Sequence, residues 1–234
     1  MISSFGDKRL LTVQNAKTVK GERYGILTGI LYLSPANESG LMNCCPKSTP
    51  ACRRVCLFTA GRGRFESVRR GRLRKTQWLF YDREGFVREL QRNVERLIQR
   101  ARKRRMKLAI RINGTSDLPW LAQTLAREFP RVQFYDYTKL PKPQLRILPN
   151  YHLTFSYSGD NLTDSLDALR HGINVAVVFS TRRGQPLPAT WQGYRVIDGD
   201  LSDTRFRDPQ GVIVGLRAKG RARKSESPFV ILAA

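Results

Sequence analysis

The sequence predicts an α/β fold, a partial or complete (β/α) barrel of parallel strands. Three observations carry this reading. Short apolar, β-branched runs recur along the chain, helix-like segments separate several of them, and polar or charged residues gather directly after the runs. With 234 residues and 41% apolar content, the chain is long enough for one sizeable core. No low-complexity linker divides it, so a single domain over 1–234 is expected, with a basic metal-binding loop at 43–75 and a basic C-terminal arm at 217–234.

The first run, YGILTGILYLSPA (24–36), is apolar and β-rich and stops at Ser-Pro, as a buried strand does. Next comes NCCPKSTPACRRVCLFTAGRGRF (43–65), which holds every cysteine in the chain. Two helical stretches follow, FESVRRGRLRKTQWLFY (65–81) and DREGFVRELQRNVERLIQRARKRR (82–105). The second starts on Asp82 as a candidate N-cap and sets Phe86, Leu90, Val94, Leu97 and Ala101 along one face. Arg83, Arg88, Arg92, Arg96 and Arg100 take the other face and extend a basic run that begins at Arg53.

From there one unit repeats. KLAIRING (107–114), RVQFYDYTK (131–139), YHLTFSYSG (151–159), INVAVVFS (173–180), YRVIDGD (194–200) and GVIVGL (211–216) read as strands, and PWLAQTLAREF (119–129) and LTDSLDALRHG (162–172) as helices between them. A doubly wound sheet is the alternative to a barrel. The chain ends in AKGRARKSESPFVILAA (218–234), a basic loop followed by a short apolar strand or arm.

A net charge of +23, from 42 Lys and Arg against 19 Asp and Glu, calls for a polyanionic partner, DNA or RNA before a membrane surface. No run approaches the ~18 apolar residues that span a bilayer, and the amino terminus lacks the apolar stretch of a secretory signal. A cytoplasmic location in a bacterial host is expected, where thiols stay reduced.

In that setting clustered cysteines point to metal before disulfides. Cys45, Cys52 and Cys56 are separated by six and three residues, with Cys44 as a spare, and the only histidines, His152 and His171, are distant and unpaired. Three thiolates suit a [4Fe-4S] cluster with one open iron; zinc and purely structural thiols are the alternatives.

Chemistry in parallel α/β folds collects at the carboxyl ends of strands. Asp117 and Lys139 follow their strands directly and carry charge there, so both are candidate catalytic groups. Asp198 and Asp200 are candidates too, unless they cap a helix or hold a turn. Arg62, Arg64, Arg69, Arg70, Arg217, Lys219, Arg221 and Arg223 are the expected phosphate contacts.

A cysteine loop after the first strand, Gly114, Thr115, Ser116 and Asp117 after the second, and TKLP after the third resemble the radical S-adenosylmethionine superfamily. The resemblance implies a [4Fe-4S] cluster on Cys45, Cys52 and Cys56 and S-adenosylmethionine on its open iron. Asn113 and Gly114 to Asp117 would then position that cofactor, Lys139, Ser156 and Ser158 would line the cavity, and an electron-donor protein would be a partner. More narrowly, LYLSPANESG, NCCP, RINGTSDLPW and GVIVGLRAKGRAR resemble the phage and plasmid family called gene product 88, over nearly the whole chain. The resulting expectation is an iron-sulfur, radical enzyme that modifies a nucleic acid. A non-enzymatic, metal-stabilised nucleic-acid-binding protein is the first alternative. The second is a base-exchanging transglycosylase using Asp117 with Asp198 or Asp200.

Overall fold

Alternation of β-branched runs with amphipathic helices gives a mixed α/β structure with a large, mostly parallel sheet. The computed structural model describes residues 9–15 and 18–232. Residues 1–8 and 16–17 of the predicted domain, and 233–234 of the predicted arm, lie outside the described residues. In chain order the elements are β1 (Leu11–Thr12), α1 (Thr18–Glu22), β2 (Ile26–Leu31), α2 (Pro50–Arg54), α3 (Glu66–Tyr81), α4 (Arg83–Lys103), β3 (Lys107–Arg111), α5 (Pro119–Glu128), β4 (Gln133–Thr138), β5 (Tyr151–Ser156), α6 (Leu162–Arg170), β6 (Val175–Phe179), β7 (Thr190–Trp191), β8 (Tyr194–Asp198), β9 (Ile213–Arg217) and β10 (Val230–Ile231). Short 3-10 turns at Leu57–Thr59, Gly61–Arg64 and Gly220–Lys224 complete the basic segments.

The residues fall into two compact units. One comprises Met1–Pro46, Phe65–Asp136 and Leu148–Tyr151, the other Lys47–Arg64, Tyr137–Ile147 and His152–Ala234. In the first, β1 lies antiparallel on β2, and β2, β3 and β4 run parallel. Helix α4 begins where its cap was expected: Asp82 Oδ1 accepts from the Gly85 N–H at 2.8 Å, relieving one unpaired donor of the first turn. Phe86, Leu90, Val94, Leu97 and Ala101 are all buried, each of the larger ones contributing about 1.5–3 kcal/mol. The helix meets the sheet closely at Gly29, where an added Cβ would stand 2.7 Å from Leu97 Cδ1 and 3.0 Å from Ile110 Cδ1.

In the second unit, β5, β6, β9 and β8 are parallel neighbours, and β10 pairs with the last two residues of β6. Ala168 and Leu169 of α6 pack on Phe155, Val175, Val177, Phe179 and Ile213, the apolar face of those strands. Burying this face keeps the strand ends fixed, and with them the loops that follow.

The sheet does not close. A barrel pairs its first parallel strand with its last, whereas here two-residue antiparallel strands form the edges, β1 on β2 and β7 on β8. Neither is among the runs read from sequence, because two residues carry no periodicity. The β7–β8 hairpin does have a local cause: Gln192 and Gly193 both take positive φ, 51° and 79°, as a two-residue turn that matches strand twist requires.

Candidate nucleic-acid interface

In the first unit, the loop after β3 is welded in place by Asn113. Its side-chain Oδ1 accepts from Ser116 Oγ at 2.9 Å and from the Leu118 N–H at 2.8 Å. Its own N–H and Nδ2 donate to Asp136 Oδ1 and Oδ2 at 2.7 and 2.9 Å, and the Tyr151 hydroxyl donates to the same Oδ2 at 3.1 Å. Burial pushes the Asp136 carboxyl up to about 7, against the pull of those donors and of the nearby Arg111 cation. Gly114 crosses β2 so closely that a Cβ would lie 2.6 Å from the Leu31 carbonyl oxygen. Thr115 donates to the Leu33 carbonyl at 2.6 Å, and the Asp117 N–H to the Cys44 carbonyl at 2.7 Å. Asp117 and Ser116 are buried. Asn113 and the segment from Gly114 to Asp117 therefore act together as one rigid turn whose polar groups are largely spent on structure.

The thiols separate by environment. Cys44 is fully buried, and burial pushes its thiol up to about 11, opposed by a bond with Thr76. Cys45 is half-buried, and its Sγ donates to the Thr115 carbonyl at 3.5 Å. Cys52 sits inside α2, its N–H donating to the Thr49 Oγ1 cap at 3.0 Å, and Cys56 starts the next turn. Cys45 falls in the first unit, Cys52 and Cys56 in the second. Among the described residues no group of three or more His, Cys, Asp or Glu stands together in a way that could hold a metal ion.

The carboxylates after β8 are also engaged. Arg217 Nη1 reaches Asp198 Oδ2 at 2.8 Å and Asp200 Oδ2 at 3.3 Å, its N–H donates to Asp200, and Lys219 Nζ meets Asp200 Oδ1 at 2.5 Å. These contacts outweigh burial and hold the Asp200 carboxyl below its ordinary range. Two expected catalytic carboxylates and two expected phosphate contacts thus neutralise one another. Ser156 and Ser158 lie at the entry to α6, where the Ser156 carbonyl accepts from Asn161 Nδ2 at 3.0 Å and Ser158 Oγ donates to Asp160 at 2.9 Å. Lys139 follows β4, half-buried.

What remains free is cationic. In the second unit, Val55 packs with Ala218, Ala222 and Val230, which brings the cysteine loop onto the turn after β9. Gly220, at φ +56°, lies against Ala60 so closely that a Cβ would stand 2.9 Å from the alanine Cβ. Arg53, Arg54, Arg62 and Arg64 from one segment and Arg221, Arg223 and Lys224 from the other are exposed on this joined surface. A third segment adds Arg182 and Arg183 directly after β6, in a loop whose Gln185 carbonyl accepts from Arg217 Nη2 at 2.8 Å. Segments 47–64 and 218–224 contain no acidic residue.

Sequence reasoning missed Arg182 and Arg183, although "STRRG" follows a strand as directly as the loops it did select. It missed Asp136 because that residue lies within its strand. Arg69 and Arg70 stand on α3 in the first unit and face Glu38 and Glu66 at 3.9 and 3.7 Å. These exposed pairs contribute little to stability.

The model of the family described as gene product 88 matches residues 6–231. The chain belongs to the gene product 88 family. Comparison with curated proteins and with solved structures finds no match. Membership therefore brings no activity with it, and the basic surface has to be interpreted from its own chemistry. Among the described residues no helix is long and apolar enough to cross a membrane.

Proposed function

We propose that this gene product 88 family member binds nucleic acid, gripping the phosphate backbone with the basic surface of its second unit. The observation that carries this reading is the packing together of segments 53–64 and 221–224 with their exposed guanidinium and ammonium groups, beside carboxylates already paired, with Arg182 and Arg183 on the loop that Arg217 bonds. Guanidinium groups suit phosphate because their planar fork donates to two oxygens at once. Such contacts set affinity and position without reading sequence.

The test is the salt dependence of binding to duplex DNA and to RNA. Log K should fall linearly with log salt, and the loop variant R62Q/R64Q/R221Q/R223Q should flatten the slope by about 0.9 for each duplex phosphate that it no longer neutralises. An unchanged slope in that variant refutes gripping by this surface.

The radical S-adenosylmethionine reading, with a barrel and a cluster on Cys45, Cys52 and Cys56, rests on resemblance. Iron and sulfide in anaerobically purified protein, lost in each single Cys→Ala variant, would support it. The base-exchanging reading needs Asp198 or Asp200 free to attack a sugar carbon, and their ion pairs with Arg217 and Lys219 weigh against it.

A further inference from the structure

The first unit carries a second concentration of positive charge, at the amino ends of its parallel strands. Register places it. Ile26 of β2 pairs with Lys107, and the Lys107 N–H donates to the Gly25 carbonyl at 2.8 Å, so residues 23–25 lie beside the start of β3. Ala109 pairs with Gln133, which puts Arg131 beside Lys107 at the same level of the next strand. Helix α4 runs out at Lys103, and Arg105 turns the chain into β3 at φ +53°. Arg23, Arg102, Lys103, Arg105, Lys107 and Arg131 are all exposed along this edge.

The carboxylates nearest in the chain are already engaged. Glu22 accepts both arms of Arg104, at 3.0 and 3.2 Å, and that pair holds its carboxyl below the ordinary range. Glu128 accepts from Gln91 Nε2 at 2.6 Å. Tyr24, 48% exposed, sets an aromatic face among the cations. A helix C-terminus favours basic residues, which accounts for Arg102 and Lys103 but not for Arg23, Lys107 and Arg131 on neighbouring strands.

We infer that this edge is a second phosphate-backbone surface, so that one chain holds two nucleic-acid segments. The inference rests on the nucleic-acid reading above and adds valency to it. A polyanion with regularly spaced charge matches a row of unpaired cations spread over three strand starts, and the exposed ring gives a base or sugar something to pack on.

The experiment mixes donor- and acceptor-labelled DNA duplexes, each about one helical turn long, with wild type, the loop variant, and the edge variant R102Q/K103Q/R105Q/R131Q, after thermal melts establish that all three are folded. Wild type is expected to take two duplexes per chain and to give energy transfer between labels. Each variant should take one duplex and give none, and the edge variant should also show a flatter salt slope. One duplex per chain in wild type, or unchanged stoichiometry and transfer in the edge variant, overturns the inference. So does an edge variant altered only in binding to anionic phospholipid vesicles. Failure of the loop reading looks different: the loop variant then behaves as wild type while the edge variant loses its binding.

Discussion

Asn113 and Asp136 are joined by two hydrogen bonds, one from the backbone N–H and one from the side-chain amide, each to its own carboxyl oxygen. The pairing ties the turn after β3 to β4, and the Tyr151 hydroxyl completes it. Replacing Asp136 with Ala would leave these donors buried without an acceptor, at roughly 1–3 kcal/mol each, so D136A should melt far below wild type. The pH dependence has a defined sign. Burial raises this carboxyl from 3.8 to about 7, so between those values the folded chain keeps a proton that the unfolded chain has released. Its contribution to stability is greatest below the unfolded value and is lost as pH rises toward 7. D136N should abolish that part of the pH slope in chemical denaturation. A slope identical to wild type would mean that Asp136 is ionised throughout.

His152 gives the opposite sign. Burial, and then repulsion from the Arg205 guanidinium, pushes its imidazole down to about 4 from 6.5. The fold holds it neutral, so its contribution is present above 6.5 and is lost as pH falls toward 4, a difference of about 3 kcal/mol. The only other histidine is His171. In H171Q protein a single imidazole resonance should therefore remain, and its proton NMR titration should have a midpoint near 4. A midpoint near 6.5 would place His152 in water.

The four thiols should divide in reactivity. Cys44 is fully buried with its thiol raised to about 11, whereas Cys45, Cys52 and Cys56 are half-buried. In metal-free protein, alkylation at mildly alkaline pH followed by peptide mass mapping should modify those three and spare Cys44 until the chain is unfolded. Early modification of Cys44 would show that the loop opens readily.

Several elements were legible in the sequence because their signal is local. Asp82, followed by Phe86, Leu90, Val94, Leu97 and Ala101, marks α4 by cap and period alone, and the strands of the second unit are β-branched runs with little else to become. Closure of the sheet was not legible, since it depends on which edges meet, and the edge strands Leu11–Thr12 and Thr190–Trp191 are too short to leave a pattern. Division into units was not legible either: Cys45 and Cys52 are seven positions apart yet fall in different units. The pairing of Asp198 and Asp200 with Arg217 and Lys219 joins two loops that β8 and β9 set side by side, and only strand order reveals that relationship.

Gly220 allows the geometry of the basic surface to be tested apart from its charge. The residue adopts φ +56° and packs on Ala60, so Gly220→Val introduces both a disfavoured backbone conformation and a methyl collision at about the point where the two basic segments touch. The turn beyond it is anchored by Ala218 and Ala222 against Val55, which limits the damage to this junction. A local loss of about 1–3 kcal/mol is expected, visible as a lower melting temperature with an otherwise intact spectrum. Nucleic-acid affinity should drop although no charge has changed, because Arg62 and Arg64 no longer stand in a fixed relation to Arg221 and Arg223. The salt slope reads how many phosphates the protein neutralises, so it should flatten as it does when charges are removed. Lys219→Gln, which deletes a charge already paired with Asp200, should leave affinity and slope nearly unchanged. Should G220V bind as wild type does while K219Q binds poorly, the surface would act through net charge alone and the packing of the two segments would have no part in recognition.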